Sequence, residues 1–112
     1  MCTKSQLEAI EEEMVNYYRS VYGDSIDTII LYGSYARGDY SDDSDIDITA
    51  IVRENRVELQ KKLKKMWDFS TEVGLAYDVI VSPTVIPYDE FEQYKEKLPY
   101  YRNIVKEGRK IG

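Results

Sequence analysis

The sequence predicts one α+β domain in which helices flank a small mixed β-sheet. Two segments, 6–22 and 57–74, repeat apolar residues at helical spacing, whereas 26–32 and 45–52 are rich in β-branched residues. At 112 residues the chain is long enough for one core and too short for a second, substantial substrate-binding domain. We therefore expect residues 1–112 to form a single domain, whose specificity comes partly from a partner or a second copy.

The first helix is predicted to run from about Gln6 to Tyr22. Ser5 and Glu8 fit a capping box at its start, and Gly23 supplies a stop. Apolar residues between these limits recur every three or four positions. One side of this helix should therefore pack on the sheet.

The first strand is predicted at 26–32, and its last part, 29–31, is continuously apolar. A strand that buries both faces has this pattern, so we expect it to be central in the sheet. A short helical turn is expected at 34–38, followed by a polar connection at 39–44 whose Asp and Ser residues favour turns. The second strand is then predicted at 45–52.

The second helix follows a polar turn in which Asn55 is a candidate cap, and its pattern continues to about Gly74. Its apolar stripe consists of Val57, Leu59, Leu63, Met66, Trp67 and Phe69. Four lysines at 61–65 fall largely on the other side of the helix. The simplest explanation is a solvated face, and the alternative is an interaction surface for an acidic or nucleic-acid partner.

The third strand is predicted at 77–82, and Pro83 indicates a sheet edge or an irregularity directly after it. A third helix is expected at 87–96. The last helix should begin at Pro99, which is pre-organised for a first helical turn, and end at Gly108.

A pair of acids in the second strand points to metal chemistry. Asp45 and Asp47 alternate with isoleucines, so in a strand both carboxylates point to one face while the isoleucines enter the core. Two acids about 7 Å apart on one face, by strand rise, repel each other unless a cation lies between them. Mg²⁺ commonly takes one or two carboxylates and completes its shell with water and substrate phosphates. The pair therefore predicts a magnesium site.

Gly33 and Ser34 open a turn directly after the first strand, and ten residues separate Ser34 from Asp45. Glycine lets the backbone come close to a ligand, and backbone N–H groups in such a turn can face an anion, so this turn is a candidate phosphate cradle. Arg37 could approach the phosphates or fix a site carboxylate by a charge-assisted hydrogen bond. The alternative without function is a surface hairpin with an acidic loop. Such a hairpin does not need inward isoleucines together with a Gly-Ser turn after a strand, so the combination favours a functional site.

These residues also resemble a known family. Gly33-Ser34, ten residues and Asp45-Ile46-Asp47 resemble the signature of the polymerase-beta-like nucleotidyltransferase superfamily, and the strings at 33–38 and 44–47 resemble its minimal nucleotidyltransferase branch. The resemblance implies the polymerase-beta-like fold, two Mg²⁺ ions and ATP as substrate. It also implies a third carboxylate on a later strand beside Asp45 and Asp47, and Asp78 is the position that fits. A structural aspartate is the alternative there.

In that family pattern Asp45 and Asp47 would bind both ions, and Asp78 would help hold the ion next to the acceptor. Gly33 and Ser34 would grip the β and γ phosphates. Proteins of this branch act as antitoxins that transfer AMP from ATP to a tyrosine of a HEPN-domain ribonuclease toxin, so we expect such a partner. Two alternatives stay open: a small-molecule nucleotidyltransferase similar to those that modify aminoglycosides, and an antitoxin that acts by binding alone, against which three carboxylates argue.

Composition argues against several other classes of function, although local basic patches are compatible with it. The net charge of −6 does not favour direct binding of nucleic acid or a template-directed polymerase. No histidine is present, which excludes zinc held by histidine and a histidine base. Cys2 is the one cysteine and cannot form an internal disulfide, and no signal peptide or long apolar segment is evident. We expect a cytosolic protein with no membrane contact.

Overall fold

A computed structural model describes residues 3–112 of the protein, and Cys2 lies outside them. The described residues form an α+β fold. Its elements, in chain order, are α1 (Lys4–Tyr22), a 3₁₀ turn (Gly23–Ser25), β1 (Ile26–Tyr32), α2 (Ser34–Arg37), β2 (Ile46–Val52), α3 (Arg56–Tyr77), β3 (Val81–Pro87), α4 (Tyr88–Tyr94), α5 (Pro99–Glu107) and β4 (Arg109–Lys110).

The four strands form one mixed sheet in the order β3-β2-β1-β4. Strand β1 pairs antiparallel with β2 and with β4, whereas β2 pairs parallel with β3. The parallel pair needs a long crossover, which α3 supplies. The predicted α+β class with a mixed sheet is therefore confirmed, and so is the central position of the first strand.

Helices cover both faces of the sheet. Ile46 and Ile48 of β2 are fully buried on the face that packs against α1 and α3. The residues that alternate with these isoleucines point to the opposite face of the sheet. On that face Ile51 joins Phe91 of α4 and Ile104 of α5 in a second apolar cluster. Asp47 lies on this second face, at the end of β2 that follows the polar loop. The predicted alternation is confirmed at Ile46, Asp47 and Ile48, but β2 begins one residue later than predicted and leaves Asp45 in the loop before it.

Helix α1 begins earlier than predicted. Thr3 is the N-cap of this helix. The Thr3 side chain accepts from the N–H of Gln6, and the Gln6 side chain accepts from the N–H of Thr3, which together form a capping box. The predicted box between Ser5 and Glu8 is therefore wrong by two positions, because both sequences satisfy the same short pattern. The predicted cap of α3 is confirmed, since the side chain of Asn55 accepts a hydrogen bond from the N–H of Glu58.

The predicted strand at 77–82 is wrong. Helix α3 continues to Tyr77, and Asp78 follows in the left-handed conformation, with φ 55° and ψ 50°, while its N–H donates to the carbonyl of Gly74. Aspartate is one of the few residues other than glycine that tolerate this conformation. The strand begins only at Val81 and contains Pro83, which is accommodated because β3 is an edge strand of the sheet.

Smaller differences affect the other elements. Helix α4 spans Tyr88–Tyr94, shorter than the predicted 87–96, whereas α5 begins at Pro99 as predicted. The two-residue strand β4 was not predicted. In α3, Leu59 and Met66 are buried, but Val57 and Trp67 are exposed and do not belong to the core. No helix within residues 3–112 is long and apolar enough to cross a membrane.

Candidate active site

The glycine turn after β1 touches the carboxylate of Asp47. Gly33 has φ 76°, a conformation that favours glycine, and a Cβ atom added to it would lie 2.5 Å from Oδ2 of Asp47. Only a residue without a side chain therefore allows the turn and this carboxylate to meet. Ser34 is the first residue of α2, directly after this contact. The structure thus brings the predicted phosphate cradle and the predicted metal site together.

Asp45 and Asp47 form the acidic pair of this site. Asp45 ends the polar loop just before β2, Asp47 is the second residue of β2, and both side chains are partly exposed. Partial burial raises the pKa of Asp47, and the negative charge of Asp45 raises it further. The two carboxylates therefore lie close enough to repel each other, which a bound cation would relieve.

Arg37 lies near this pair but is not bonded to it. Its guanidinium donates to Asp39 at 3.2 Å and to Glu107 at 3.1 Å. Its positive charge nevertheless lowers the pKa of Asp47, although less than burial and Asp45 raise it. Of the two predicted roles, a direct hydrogen bond to a site carboxylate is not observed.

Asp78 does not join Asp45 and Asp47 in the sheet. It caps α3 instead of lying on β3, and no group of three or more Asp, Glu, His or Cys residues among residues 3–112 could hold a metal ion. The parallel register places Ser82 beside Asp47 and Thr84 beside Thr49. The predicted three-carboxylate group is therefore not assembled here, and three carboxylates no longer argue against an antitoxin that acts by binding alone.

Sequence reasoning missed a tyrosine beside the acidic pair. Tyr32, the last residue of β1, is the Cα partner of Asp47 across the antiparallel pair, so both side chains lie on one face. Its hydroxyl hydrogen-bonds the hydroxyl of Tyr100 at 2.8 Å and that of Thr84 at 3.4 Å. Burial raises its pKa well above the ordinary tyrosine value. A tyrosine directly before a Gly-Ser turn was the only signal available, because the contacts come from β3 and α5.

This arrangement fits a divalent cation bound together with a phosphate group. The donors are two adjacent carboxylates, the hard oxygen ligands that Mg²⁺ prefers when substrate phosphates complete its shell. The backbone turn at Gly33 touches one of them and leaves no room for a side chain at that point. The site can therefore hold a phosphate and its counter-ion side by side.

Comparisons with known proteins identify related sequences. A family model for the nucleotidyltransferase domain matches residues 8–111. Two proteins of Methanocaldococcus jannaschii, both named as candidate protein adenylyltransferases, are similar to this chain. One is 36% identical over 98 residues, covering 88% of this chain and 90% of the relative. The other is 33% identical over 97 residues, covering 79% and 96%.

Solved structures share the fold at low sequence identity. A mutant of the MntA–HepT toxin–antitoxin complex matches with a TM-score of 0.57 at 16% identity, covering 91% of this chain and 72% of the other. A toxin–antitoxin structure with AMP-PNP matches at 0.53 and 17%, covering 90% and 72%. A complex of a tri-AMPylated HEPN toxin with an MNT antitoxin, from Shewanella oneidensis, matches at 0.53 and 16%, covering 94% and 71%.

Proposed function

Because this chain belongs to the nucleotidyltransferase domain family, we propose that it is an antitoxin that transfers AMP from ATP to a tyrosine hydroxyl of a HEPN-domain toxin. One observation carries the proposal: the contact between the Gly33 turn and the Asp47 carboxylate, with Asp45 beside it. The names of the curated relatives, protein adenylyltransferases, support AMP as the transferred group. The fold shared with HEPN–MNT complexes supports the choice of partner.

In this reaction the tyrosine oxygen attacks the α-phosphate of ATP. A new oxygen–phosphorus bond forms, the bond between the α-phosphorus and the bridging oxygen breaks, and pyrophosphate leaves. The hydroxyl proton passes to a carboxylate of the site or to solvent. Such chemistry depends mostly on positioning and on neutralising charge, which are the two things this site provides.

The residues of the chain divide this work. The turn at Gly33 and Ser34 would hold the β and γ phosphates, and Asp45 and Asp47 would hold the two Mg²⁺ ions that the family resemblance implies. Bound Mg²⁺ would neutralise the triphosphate and polarise the reacting oxygens. Arg37, already within range of Asp47's charge, would add positive potential near the phosphates. Tyr32, whose hydroxyl hydrogen-bonds those of Thr84 and Tyr100, would pack in a fixed orientation beside Asp47.

A chain with one cysteine has no internal disulfide that requires an oxidising compartment. We therefore place the reaction in the cytosol.

The first experiment tests nucleotide binding. Calorimetry with ATP and Mg²⁺ should detect binding that weakens sharply when Asp45→Asn and Asp47→Asn are combined. Asp42→Asn with Asp43→Asn is the matched control, because it removes the same charge from the neighbouring loop. Equal affinity in the parent and in the site mutant would reject the two-carboxylate site.

The second experiment tests transfer. Incubation with labelled ATP, Mg²⁺ and the protein encoded in the neighbouring reading frame should add AMP, about 329 Da, to a tyrosine of that protein. Labelling should disappear with Asp45→Ala or Asp47→Ala. If the partner stays unmodified but both variants still neutralise it, the chain inhibits its partner by binding alone. If aminoglycosides offered as acceptors take the label instead, the chain is a small-molecule nucleotidyltransferase.

A further inference from the structure

Three large apolar side chains in the C-terminal half of α3 and directly after this helix are exposed to solvent. The exposed fractions are 43% for Trp67, 80% for Leu75 and 62% for Ile80, which follows α3 in the chain. Trp67 and Leu75 are eight residues apart, so they lie on the same side of the helix. Together with the loop before β2 they line a groove of about 470 Å³. Exposed apolar side chains gathered at one concave place are typical of a binding surface.

The same groove is strongly acidic. Asp42, Asp43, Asp45 and Asp78 line it, and no lysine or arginine is among the lining residues. Side chains with one sign of charge in a concave surface focus the potential and attract ligands of the opposite sign. Asp45 also belongs to the candidate active site, so the groove and that site share one carboxylate.

We propose that this acceptor groove, formed by Trp67, Leu75, Ile80 and the four aspartates, binds a segment of the acceptor protein with apolar side chains flanked by lysine or arginine. The inference rests on the proposed function, because it names the surface that delivers the acceptor. The apolar residues supply contact area, and the aspartates supply electrostatic complementarity and orientation. A bound segment would thus place a neighbouring tyrosine at Asp45 and Asp47.

The charge of the groove argues against other occupants. ATP and nucleic acids carry phosphates, which the three aspartates outside the carboxylate pair, Asp42, Asp43 and Asp78, would repel. The nucleotide therefore has to enter from the side of the Gly33 turn, where Arg37 contributes positive charge. The acceptor groove is then left to a cationic partner, and the two substrates approach the carboxylate pair from different sides.

Trp67 allows binding to be measured directly, since it is the one tryptophan in the chain. The probe is a synthetic peptide that contains leucine, arginine and one tyrosine, and the matched control peptide has glutamate in place of arginine. The basic peptide should shift Trp67 emission saturably, with an affinity that falls as salt rises. The acidic peptide should leave the emission unchanged. Equal affinity for both peptides would overturn the proposal.

Two variants locate the binding. Leu75→Ser should weaken peptide binding about tenfold, the loss typical of an anchor residue. Its matched control is Val57→Ser, also on α3 and 64% exposed but outside the groove, which should bind like the parent. Indistinguishable affinities for these two variants would reject the groove. A dimer of the parent that dissociates with Leu75→Ser would instead assign the surface to a second copy of the chain.

Asp78→Asn separates docking from catalysis. Asparagine also tolerates the left-handed conformation, so the end of α3 should be kept. The KM for the peptide in AMP transfer should rise severalfold, while kcat and the calorimetric affinity for ATP with Mg²⁺ stay the same. Intact ATP binding without any peptide binding would reject only the acceptor groove, whereas peptide binding without ATP binding would reject only the proposed transfer reaction.

Discussion

At the scale of single residues, the site depends on the absence of a side chain at Gly33. Gly33→Ala should lower the free energy of unfolding by more than the roughly 1–2 kcal/mol that left-handed strain costs, because its Cβ would also displace Asp47. AMP transfer should be lost. Gly38→Ala is the matched control: φ is 88°, no atom beyond the neighbouring residues in the chain lies within 4 Å of the added Cβ, and transfer should survive. Thermal unfolding and a transfer assay measure both, and equal loss of transfer in the two variants would reject the role of the contact.

Asp47 also has a predictable effect on stability. Its pKa is raised in the native state by burial and by Asp45, so the native protein binds protons more readily than the unfolded chain. Without metal, the contribution of Asp47 to the free energy of unfolding should therefore rise as the pH falls from above its raised pKa towards the ordinary value of about 3.9.

Asp47→Asn should reduce that pH dependence. Near pH 7 without Mg²⁺, calorimetry should show an unchanged Tm or an increase of up to about 4 °C, the lower end of what 1 kcal/mol produces in a domain of this size. A large decrease would instead give Asp47 a structural role.

At the scale of elements, the end of α3 decides what Asp78 does. Its left-handed backbone makes it a helix cap, so Asp78→Gly should preserve or raise the Tm, whereas Asp78→Val should cost about 1–2 kcal/mol. Neither change should alter calorimetric binding of ATP with Mg²⁺. Loss of that binding in the stable Asp78→Gly protein would restore the third-carboxylate role.

At the scale of the whole molecule, one sheet joins two apolar clusters, one on each face. Met14 belongs to the cluster under α1 and α3, Ile104 to the cluster under α4 and α5, and both are almost fully buried. Met14→Ala and Ile104→Ala should each cost about 2–5 kcal/mol and lower the same single thermal transition. Exposed Val57→Ala should leave the Tm nearly unchanged. Two separate transitions in calorimetry would contradict the prediction that residues 1–112 form one domain.

The features that depend on local spacing could be predicted from the amino-acid sequence. The alternation at Ile46, Asp47 and Ile48, the turn at Gly33 and the cap at Asn55 all lie where they were expected. Each follows from neighbouring residues alone, because strand alternation, glycine conformation and side-chain capping act over a few positions. The strand at 26–32 could be predicted for the same reason.

The side chains that surround those residues depend on tertiary contacts. The apolar run after Gly74 suits a strand or a helix end equally well, and in the structure α3 continues to Tyr77 before Asp78 ends it in the left-handed conformation. The strand that follows then pairs with β2 in a register that brings Ser82, not Asp78, next to Asp47. Register and helix length depend on contacts between residues far apart in the chain, so no local pattern encodes them.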